Sequence, residues 1–230
     1  MKLYSVSDGP PSLAVRMTLK ALDIPYELHN VDYVNSEHLS EEYAKMNPQK
    51  EIPVLDDDGF YLSESVAIMQ YLCDKYGPES SLYPKNPKER AIVNQRLNFN
   101  MAFYYSSIGQ YVMAPIFFDY QRTELGLKKV HIALQVFETY LKSLGTKYAA
   151  GNNLTIADFP LVTATICLEA IDFKLDEYPL IKKWYATFKA ENPQLWEIAE
   201  GGMKEIAFFE KNPPDLSAMN HPIHPIKKVK

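Results

Sequence analysis

The amino-acid sequence predicts a mixed α/β domain followed by an all-helical domain. Short apolar strand-like segments alternate with helix-like segments in the first third of the chain. Prolines and a glycine then cluster at residues 77–87, and beyond them apolar residues recur at helical spacing. We therefore place the first domain at residues 1–78, a linker at 79–87, the all-helical domain at 88–210 and an extended or disordered tail at 211–230.

The first domain is predicted to follow the order β-α-β-α-β-β-α. The expected elements are strands at 2–6 and 26–31, a hairpin at 54–62, and helices at 11–23, 36–46 and 65–76. Pro11 suits the first position of a helix, and Asp58-Gly59 suits the turn of the hairpin. The polar helix at 36–46 is expected to pack loosely. Short mixed strands with helices on both faces are typical of a thioredoxin-like layer.

The second domain is predicted from helical periodicity and from capping residues. The expected helices lie at 88–118, 125–144, 178–191 and 193–209. A further helix starts at Thr155-Ile156-Ala157-Asp158, where Thr155 can cap the first turn and Asp158 can reach back to it. Gly201-Gly202 is expected to interrupt the last helix.

Composition and charge exclude several classes of function. The chain has 230 residues and a net charge of -5 with both signs interspersed, so it lacks the basic stripe typical of nucleic-acid-binding proteins. Cys73 and Cys167 lie in apolar helical patterns and are expected to be buried, reduced thiols. No secretory signal and no apolar run of membrane-spanning length is visible, so we expect a cytoplasmic protein without a membrane partner. His221 and His224 in the tail are too weak a pattern to predict a metal site, and we expect no metal.

Two short motifs predict a binding site. Residues 47–55 form a loop that ends in Ile52-Pro53 and leads into an apolar strand. An Ile-Pro bond can be cis, which turns the preceding backbone groups in an unusual direction, where an extended peptide could pair with them. Glu64-Ser65 stands at a helix start, where N–H groups and a hydroxyl can bind a carboxylate while the glutamate binds an ammonium group. A small peptide with both termini, such as glutathione, would suit this pair of motifs.

The order of these motifs resembles that of the glutathione transferase family, closest to the delta and epsilon classes of arthropods. The matching segments are Lys20-Ala21-Leu22, Glu37-His38-Leu39, Asn47-Pro48-Gln49, Ile52-Pro53, Gly59-Phe60, Glu64-Ser65, Ala67-Ile68, Tyr71-Leu72, Leu82-Tyr83-Pro84 and Leu154-Thr155-Ile156-Ala157-Asp158-Phe159. Each segment is weak alone, but their order and spacing over residues 1–210 are specific. The resemblance implies the glutathione transferase fold, with a thioredoxin-like N-terminal domain, an all-α C-terminal domain and a homodimer.

The resemblance also implies which residues bind glutathione as the co-substrate. Ile52-Pro53 would pair its backbone with the cysteinyl part, Glu64 would bind the γ-glutamyl ammonium group, and Ser65 would bind the γ-glutamyl carboxylate. His38 and Lys50 would approach the glycyl carboxylate, with Lys50 in place of the usual histidine. The implied set is His38, Lys50, Glu51, Ile52, Pro53, Glu64 and Ser65.

The position that activates the thiol departs from the family pattern. Members of these classes carry a Ser there whose hydroxyl donates to the glutathione sulfur, and alignment on Pro10-Pro11 puts Gly9 in its place. Losing one hydrogen bond to a charged group, about 1.5–3 kcal/mol, lowers the thiolate population by roughly ten- to a hundredfold. Our candidate for a substitute is Ser12, in the first turn of the helix that follows the Gly9 loop. The alternatives left open are Ser5, Ser7, Tyr4, a backbone N–H of residues 9–12 and a water molecule.

An aromatic run predicts the site for a second, apolar substrate. Residues 98–118 are crowded with Phe, Tyr, Met and Ile. Core packing explains most such runs, but tyrosines keep a polar tip, and the resemblance implies that this helix lies over the thiol. The predicted lining residues are Pro11, Tyr105, Ile108, Tyr111, Met113, Phe117, Phe208 and Phe209.

The function predicted from these features is conjugation of the glutathione thiol to hydrophobic electrophiles, as in detoxification. A second hypothesis, which Gly9 motivates, is a ligandin-like binding protein with little or no conjugating activity. A third, a structural module of a larger assembly, has less support because only a short tail accompanies the two domains. The predicted partners are glutathione, an apolar electrophile and a second copy of the chain.

Overall fold

A computed structural model describes residues 1–219 and 221–227 of the chain. The elements of the first domain are β1 (Lys2–Ser5), α1 (Pro10–Ala21), β2 (Glu27–Asn30), α2 (Glu41–Met46), β3 (Val54–Asp57), β4 (Phe60–Leu62) and α3 (Ser65–Tyr76). The helices of the second domain are α4 (Pro87–Phe99), α5 (Tyr105–Tyr111), α6 (Met113–Phe117), α7 (Glu124–Leu144), α8 (Asp158–Ala170), α9 (Pro179–Glu191) and α10 (Pro193–Lys211). The described part of the chain is therefore a mixed α/β domain followed by a helical domain, as predicted.

The four strands form one mixed sheet in the order β2-β1-β3-β4. β1 runs parallel to β2 and antiparallel to β3, and β3 pairs with β4 as an antiparallel hairpin. Leu3 stands opposite Leu28 on one side and Leu55 on the other, and both Leu3 and Leu55 are fully buried. The centre of the sheet is therefore apolar on the side that the helices cover.

Helix α1 joins the two domains. Pro10 and Pro11 occupy its first turn, where a missing N–H leaves no hydrogen bond unmade. The helix packs against α3 within its own domain and against α8 and α10 of the second domain. Leu13, Val15 and Met17 are fully buried in these contacts. The interface therefore fixes the position of the start of α1.

The segment that was expected to pack loosely, residues 36–46, is anchored in the first domain. It forms a 3₁₀ turn (Glu37–Leu39) followed by α2. The Ser40 hydroxyl caps α2 by accepting a hydrogen bond from the Tyr43 N–H at 3.1 Å. Tyr43 is buried against Val31 and Val54. One aromatic side chain thus holds a helix whose other residues are mainly polar, and the prediction of loose packing is wrong.

The predicted start of α8 is confirmed by its hydrogen bonds. The Asp158 carboxylate accepts from the Thr155 N–H at 3.0 Å, and the Thr155 hydroxyl accepts from the Ala157 N–H at 3.3 Å. Asp158 also accepts from the Ala149 N–H and from the Trp184 indole N–H, both at 2.9 Å. These bonds satisfy a carboxylate that is fully buried. Although α8 is mostly apolar, no helix in the described part of the chain is long and apolar enough to cross a membrane.

The single helix predicted at 88–118 is wrong. A π turn (Asn100–Tyr104) separates α4 from α5, and a break at Val112 separates α5 from α6. Pro115 explains the break because it has no N–H to donate to the carbonyl four residues before it. That carbonyl, of Tyr111, instead accepts from the Arg122 guanidinium at 3.0 Å. The aromatic run therefore presents several faces rather than one continuous stripe.

The predicted interruption at Gly201-Gly202 is also wrong, because α10 continues through both glycines. Gly202 permits a close approach between α10 and the start of the chain. A Cβ atom at this position would lie 2.4 Å from the Leu13 Cδ1 atom and 3.2 Å from the Ser7 carbonyl oxygen. A Cβ atom at Gly201 would meet nothing within 4 Å. The two neighbouring glycines therefore differ in whether packing requires them.

This difference makes Gly201→Ala and Gly202→Ala a matched pair of variants. We expect Gly201→Ala to raise the free energy of unfolding by about 0.5–1 kcal/mol, the helix-propensity gain of alanine over glycine. We expect Gly202→Ala to lower it by about 1–2 kcal/mol, because overpacking against the buried Leu13 outweighs the same gain. Denaturant unfolding of both variants checks this, and equal effects would contradict the packing role of Gly202.

The segment after α10 packs against the protein, contrary to the expectation of a disordered or loosely draped tail. Leu216 and Met219 are buried with Phe118. The Asp119 N–H donates to the Pro225 carbonyl at 2.9 Å, and Phe118 forms an isolated β-bridge with Ile226. We call residues 212–219 and 221–227 the C-terminal strap. Residues 220 and 228–230 of the predicted tail lie outside the described residues.

Candidate functional site

A cleft of about 270 Å³ lies where the first domain meets the second. Three segments of the first domain form one side of it, namely the start of α1, the loop before β3 and the start of α3. The residues that they contribute are Pro10, Pro11, Asn47, Gln49, Glu51, Ile52, Pro53, Glu64 and Ser65. The residues of the second domain in the opposite wall are Asn100, Met101, Tyr105, Pro160 and Thr163. The two motifs singled out in the sequence therefore meet in one space.

The loop before β3 is held in place by Asn47. This side chain is buried, donates to the Glu51 carbonyl at 2.9 Å and accepts from the Gln49 N–H at 3.1 Å. The Tyr43 hydroxyl donates to the same Glu51 carbonyl at 3.2 Å. The bond between Ile52 and Pro53 is cis. Ile52 thus reaches the cleft from a loop whose shape is fixed before any ligand arrives.

The start of α3 brings a carboxylate and a hydroxyl to the cleft. Glu64 precedes the first helical residue, Ser65, and has a positive φ of 65°. A non-glycine residue in this region is uncommon and costs about 1–3 kcal/mol, so the surrounding structure must hold it there. Burial and then the Glu64 charge raise the pKa of the Glu51 carboxyl above its usual value. Two carboxyl groups in one cleft would be relieved by a cation such as an ammonium group.

The structure does not bring His38 and Lys50 into the cleft wall. His38 is only 3% exposed, and its ring stacks on Tyr33 with the ring centres 4.5 Å apart. Burial and then the nearby His221 lower the pKa of His38 to about 4. The Lys50 ammonium group donates to the Leu39 carbonyl at 2.6 Å. The predicted placement of both side chains in the glutathione site is therefore not met in this conformation.

The hydroxyl groups nominated to replace the missing one do not face the cleft. Ser12 is fully buried, and its hydroxyl accepts from the Val6 N–H at 3.4 Å. Ser5 donates to the Val6 carbonyl at 3.2 Å, and Ser7 donates to the Glu205 carboxylate at 2.9 Å. The Ser12 hydroxyl thus contacts the end of the strand rather than the cleft, and its role as the activating residue stays a prediction.

Packing against neighbouring side chains also determines where Tyr4 and Gly9 lie. The ring of Tyr4 packs against His29 and Tyr43, with ring centres 4.9 and 6.2 Å away. Gly9 stands immediately before α1 with an extended backbone. A Cβ atom at Gly9 would lie 2.7 Å from the Val6 Cγ2 atom. Val6 would therefore have to shift before a serine could occupy position 9.

Only two of the eight predicted apolar-site residues, Pro11 and Tyr105, line this cleft. Ile108 is fully buried in the core. Phe117 packs edge-on against Phe209, with ring centres 5.6 Å apart, and lies near Tyr33. Tyr111 and Met113, on either side of the break at Val112, are both half-buried, and Tyr111 lies beside Gly126. Phe208, in the last turns of α10, is 59% exposed. Ile108, Tyr111, Met113, Phe117, Phe208 and Phe209 therefore lie outside the wall of this cleft, and their contact with an apolar substrate stays a prediction.

Comparison with known proteins identifies the family. Residues 3–80 match the model of the glutathione S-transferase N-terminal domain, and residues 104–192 match that of the C-terminal domain. The chain is 35% identical over 193 residues to glutathione S-transferase D6 of Drosophila melanogaster, an alignment that covers 84% of this chain and 89% of the relative. The chain belongs to the glutathione S-transferase family.

Solved structures agree with this assignment. A diazinon-metabolizing glutathione S-transferase of the silkworm Bombyx mori is 61% identical with a TM-score of 0.86, over 89% of this chain and 98% of that one. A delta-class glutathione transferase of Nilaparvata lugens is 38% identical with a TM-score of 0.87, over 93% of this chain and 99% of that one. The predicted family, fold and enzyme class, a transferase with glutathione as co-substrate, are therefore confirmed. In the described part of the chain, no cluster of three His, Cys, Asp or Glu side chains is arranged to hold a metal ion.

Several residues of the transferase cleft were missed by the sequence analysis. Asn100 reaches the cleft from the π turn, is 5% exposed, and leaves its side-chain oxygen without a hydrogen-bond partner among the described residues. Thr163 reaches it from α8, and its hydroxyl donates to the Pro160 carbonyl at 3.3 Å. A polar asparagine inside an apolar run was the one signal in the sequence. The π turn that directs it could not be read from periodicity.

Asp8, beside Gly9 in the loop after β1, carries an electrostatic cost. It is half-buried, and no cation among the described residues pairs with it. Burial and then the Glu205 charge raise the pKa of Asp8 from 3.8 to about 6. The folded state therefore binds this proton more tightly than the unfolded chain does. The stability that protonation provides is present below about pH 4 and is lost as the pH rises through about 6.

Asp8→Asn should remove this cost. At pH 7.5 we expect the free energy of unfolding to rise by about 1–3 kcal/mol, and at pH 4 we expect little change. Urea unfolding at both pH values measures the difference. Glu197→Gln, at an exposed position of α10, is the control and should change stability little at either pH. An equal gain from Asp8→Asn at both pH values would show that ionisation is not the cause.

The C-terminal strap covers the side of the transferase that holds Tyr33 and His38. Leu216 and Met219 pack beside Tyr33, Leu39 and Phe117. The ring of His224 stacks on Phe118 with centres 4.3 Å apart, and the Lys227 ammonium group donates to the Pro115 carbonyl at 2.9 Å. The strap is thus anchored at both described ends by contacts with the segment around α6.

Leu216→Ala should release the strap without unfolding the protein. Truncating a buried leucine to alanine removes about 2–5 kcal/mol of stabilising free energy. A short surface segment of this kind cannot lose that much and remain docked. We expect faster tryptic cleavage after the exposed Lys211 and a nearly unchanged melting temperature. Leu125→Ala, at a leucine that is 65% exposed, is the matched control. Unchanged cleavage would mean that other contacts hold the strap.

Proposed function

We propose that this transferase conjugates the glutathione thiol to hydrophobic electrophiles. The observation that carries the proposal is the meeting of Ile52-Pro53, Glu64 and Ser65 with Pro11 and Tyr105 in one cleft. The first group suits a peptide with charged ends, and the second suits an apolar partner. Both reactants would then be held side by side, which turns a bimolecular reaction into an effectively unimolecular one.

Glutathione would bind along the first-domain side of the cleft. The backbone of Ile52 pairs with the cysteinyl part, as a strand added to an edge. The γ-glutamyl ammonium group lies against the Glu64 carboxylate. Its positive charge also offsets the repulsion from Glu64 that contributes to the raised pKa of Glu51. The γ-glutamyl carboxylate lies at Ser65, where the hydroxyl and the start of α3 favour an anion.

The glycyl end would reach towards Lys50 and His38. With its pKa lowered to about 4, His38 is neutral at pH 7 and offers only a ring N–H. Lys50 provides the positive charge if its ammonium group exchanges the Leu39 carbonyl for the glycyl carboxylate. Of the two residues assigned to the glycyl carboxylate, Lys50 would thus provide a cation and His38 a neutral hydrogen-bond donor.

The electrophile would lie between Pro11 and Tyr105. In a reaction with an activated aryl halide, the sulfur forms the new C–S bond, and the halide leaves with the electron pair of the broken carbon–halogen bond. Met101 extends this wall with an adaptable apolar side chain. The preference is therefore for flat apolar electrophiles rather than charged ones.

A homodimer in the cytoplasm is the form that we propose for the active protein. The family resemblance supports it, and so do Phe60 and Tyr61 on β4, which are 50% and 44% exposed. Exposed aromatic residues on neighbouring positions are typical of surfaces that contact another protein.

A second candidate function is a ligandin-like carrier of apolar compounds with little conjugating activity. Gly9 favours it, because the nominated serine hydroxyls point away from the cleft. Gly9→Ser separates the two functions. A large rate gain in this variant would show that the missing hydroxyl limits the natural protein, whereas unchanged turnover in a protein that binds glutathione would indicate another activating group.

Glu64→Gln tests the glutathione site directly. Loss of one charge-assisted hydrogen bond, about 1.5–3 kcal/mol, should raise the dissociation constant for glutathione by roughly ten- to a hundredfold in calorimetry. Glu79→Gln is the control, since Glu79 is 84% exposed and pairs with Lys85 on the surface. Initial rates are measured with glutathione and a panel of aryl halides, enals and hydroperoxides. No heat with millimolar glutathione and no turnover above the uncatalysed rate would refute the proposal.

A further inference from the structure

The thiol needs a hydrogen-bond donor, and none of the three serines near Gly9 lines the cleft. Ser5 and Ser7 donate to other acceptors, and Ser12 is fully buried with its oxygen turned to the Val6 N–H. The prolines of the first turn of α1 have no N–H to offer. A side-chain hydroxyl that donates to the sulfur must therefore come from another wall of the cleft.

Two polar side chains of the cleft wall are engaged within the protein. Both ends of the Asn47 amide are bonded within its loop, and the Thr163 hydroxyl donates to the Pro160 carbonyl. Ser65 stands at the start of α3, at the motif assigned to the γ-glutamyl group. Tyr105 lines the cleft, and its hydroxyl makes no hydrogen bond with any described residue. It is the hydroxyl of the helical wall that remains available to a ligand.

Tyr105 lines the cleft together with the two segments that are expected to flank the glutathione sulfur. Tyr105 lines the same cleft as Pro10, Pro11, Glu51 and Ile52, and the Asp8 and Glu51 charges act on its phenol. Asp8 precedes Gly9, and Glu51 precedes Ile52, the residue assigned to the cysteinyl backbone. Tyr105 therefore lies in one cleft with the residues that follow the thiol-activating loop and with the cysteinyl subsite.

We propose that the Tyr105 hydroxyl donates the hydrogen bond that stabilises the glutathione thiolate, in place of the hydroxyl missing at position 9. The inference rests on the proposed function. The thiol proton leaves to solvent, and the sulfur keeps the electron pair that then attacks the electrophile. Tyr105 keeps its own proton throughout and acts only as a donor.

Two features of the helical wall prepare Tyr105 for this role. Tyr105 follows the π turn directly, and such turns often redirect side chains at functional sites. The ring lies over Gly109, where a Cβ atom would be 3.5 Å from the Tyr105 Cε2 atom. Burial above all raises the pKa of the Tyr105 phenol well above its usual value, so the O–H persists over the pH range in which a thiol ionises.

The donor also answers a local charge problem. Asp8 and Glu51 both disfavour a second negative charge nearby. A neutral O–H aimed at the sulfur stabilises the thiolate without adding to the negative charge. Phenol O–H groups are more acidic than amide N–H groups, so Tyr105 is a stronger donor to sulfur than Asn100, whose unpaired side-chain atom is an acceptor oxygen.

Tyr105→Phe tests the inference because it removes the hydroxyl and keeps the ring. The readout is the pKa of the bound thiol, from the ultraviolet absorbance of the thiolate in the complex with glutathione. We expect this pKa to rise by about one to two units. The dissociation constant for glutathione should change less than threefold. We expect kcat/KM to fall roughly ten- to a hundredfold at pH 6.5 and to recover towards the natural value at pH 9.

Two further variants make the result specific. Tyr140→Phe is the control, because Tyr140 lies on α7 with its ring against Arg96 and Phe99, and it should leave the thiol pKa unchanged. Asn100→Leu should also leave the thiol pKa unchanged. An unaltered thiol pKa in Tyr105→Phe, or a rise in Asn100→Leu instead, would overturn the inference. Failure of the natural protein to bind glutathione in calorimetry would instead refute the proposed function on which it rests.

Discussion

The packing of α1 between the two domains is the constraint on which the rest of the structure depends. One side of this helix contacts α3, and the other contacts α8 and α10, with Gly202 allowing the backbones to approach closely. The start of the same helix forms a wall of the cleft through Pro10 and Pro11. A shift of α1 would therefore change the hydrophobic core and the binding site together. The two domains act as one unit for this reason, although each has its own type of secondary structure.

Negative charge in the cleft favours binding of an ammonium group and disfavours ionisation of a thiol. In the proposed binding mode, Glu51 and Glu64 lie near the ammonium end of glutathione, and Asp8 adds a third carboxyl group nearby. The same carboxylates disfavour ionisation of the thiol. A transferase with this arrangement needs a strong neutral donor at the sulfur, the role that we propose for the Tyr105 phenol of the helical wall. Binding and activation are thus assigned to different domains that meet at the cleft.

The C-terminal strap covers part of the protein surface and lies outside the motifs that carry the family resemblance. It buries aromatic and aliphatic side chains near the end of α6 and covers the side where Tyr33 stacks on His38. Burial lowers the pKa of His38, and the charge of His221 in the strap lowers it further. The strap therefore influences the chemistry of a residue more than 170 positions away in the sequence.

Local sequence determined the features whose geometry is set within a few residues. Ile52-Pro53, Glu64-Ser65 and the Thr155–Asp158 start of α8 were readable because turns and caps depend on neighbours in the chain. Tertiary structure alone decided which faces of the helices meet the cleft, so that Ile108 became core, Ser12 turned inward and Tyr105 stayed available. It also decided the continuity of α10 and the burial of Leu216. These outcomes depend on contacts between residues far apart in sequence, and periodicity carries no information about the partner that a face will find.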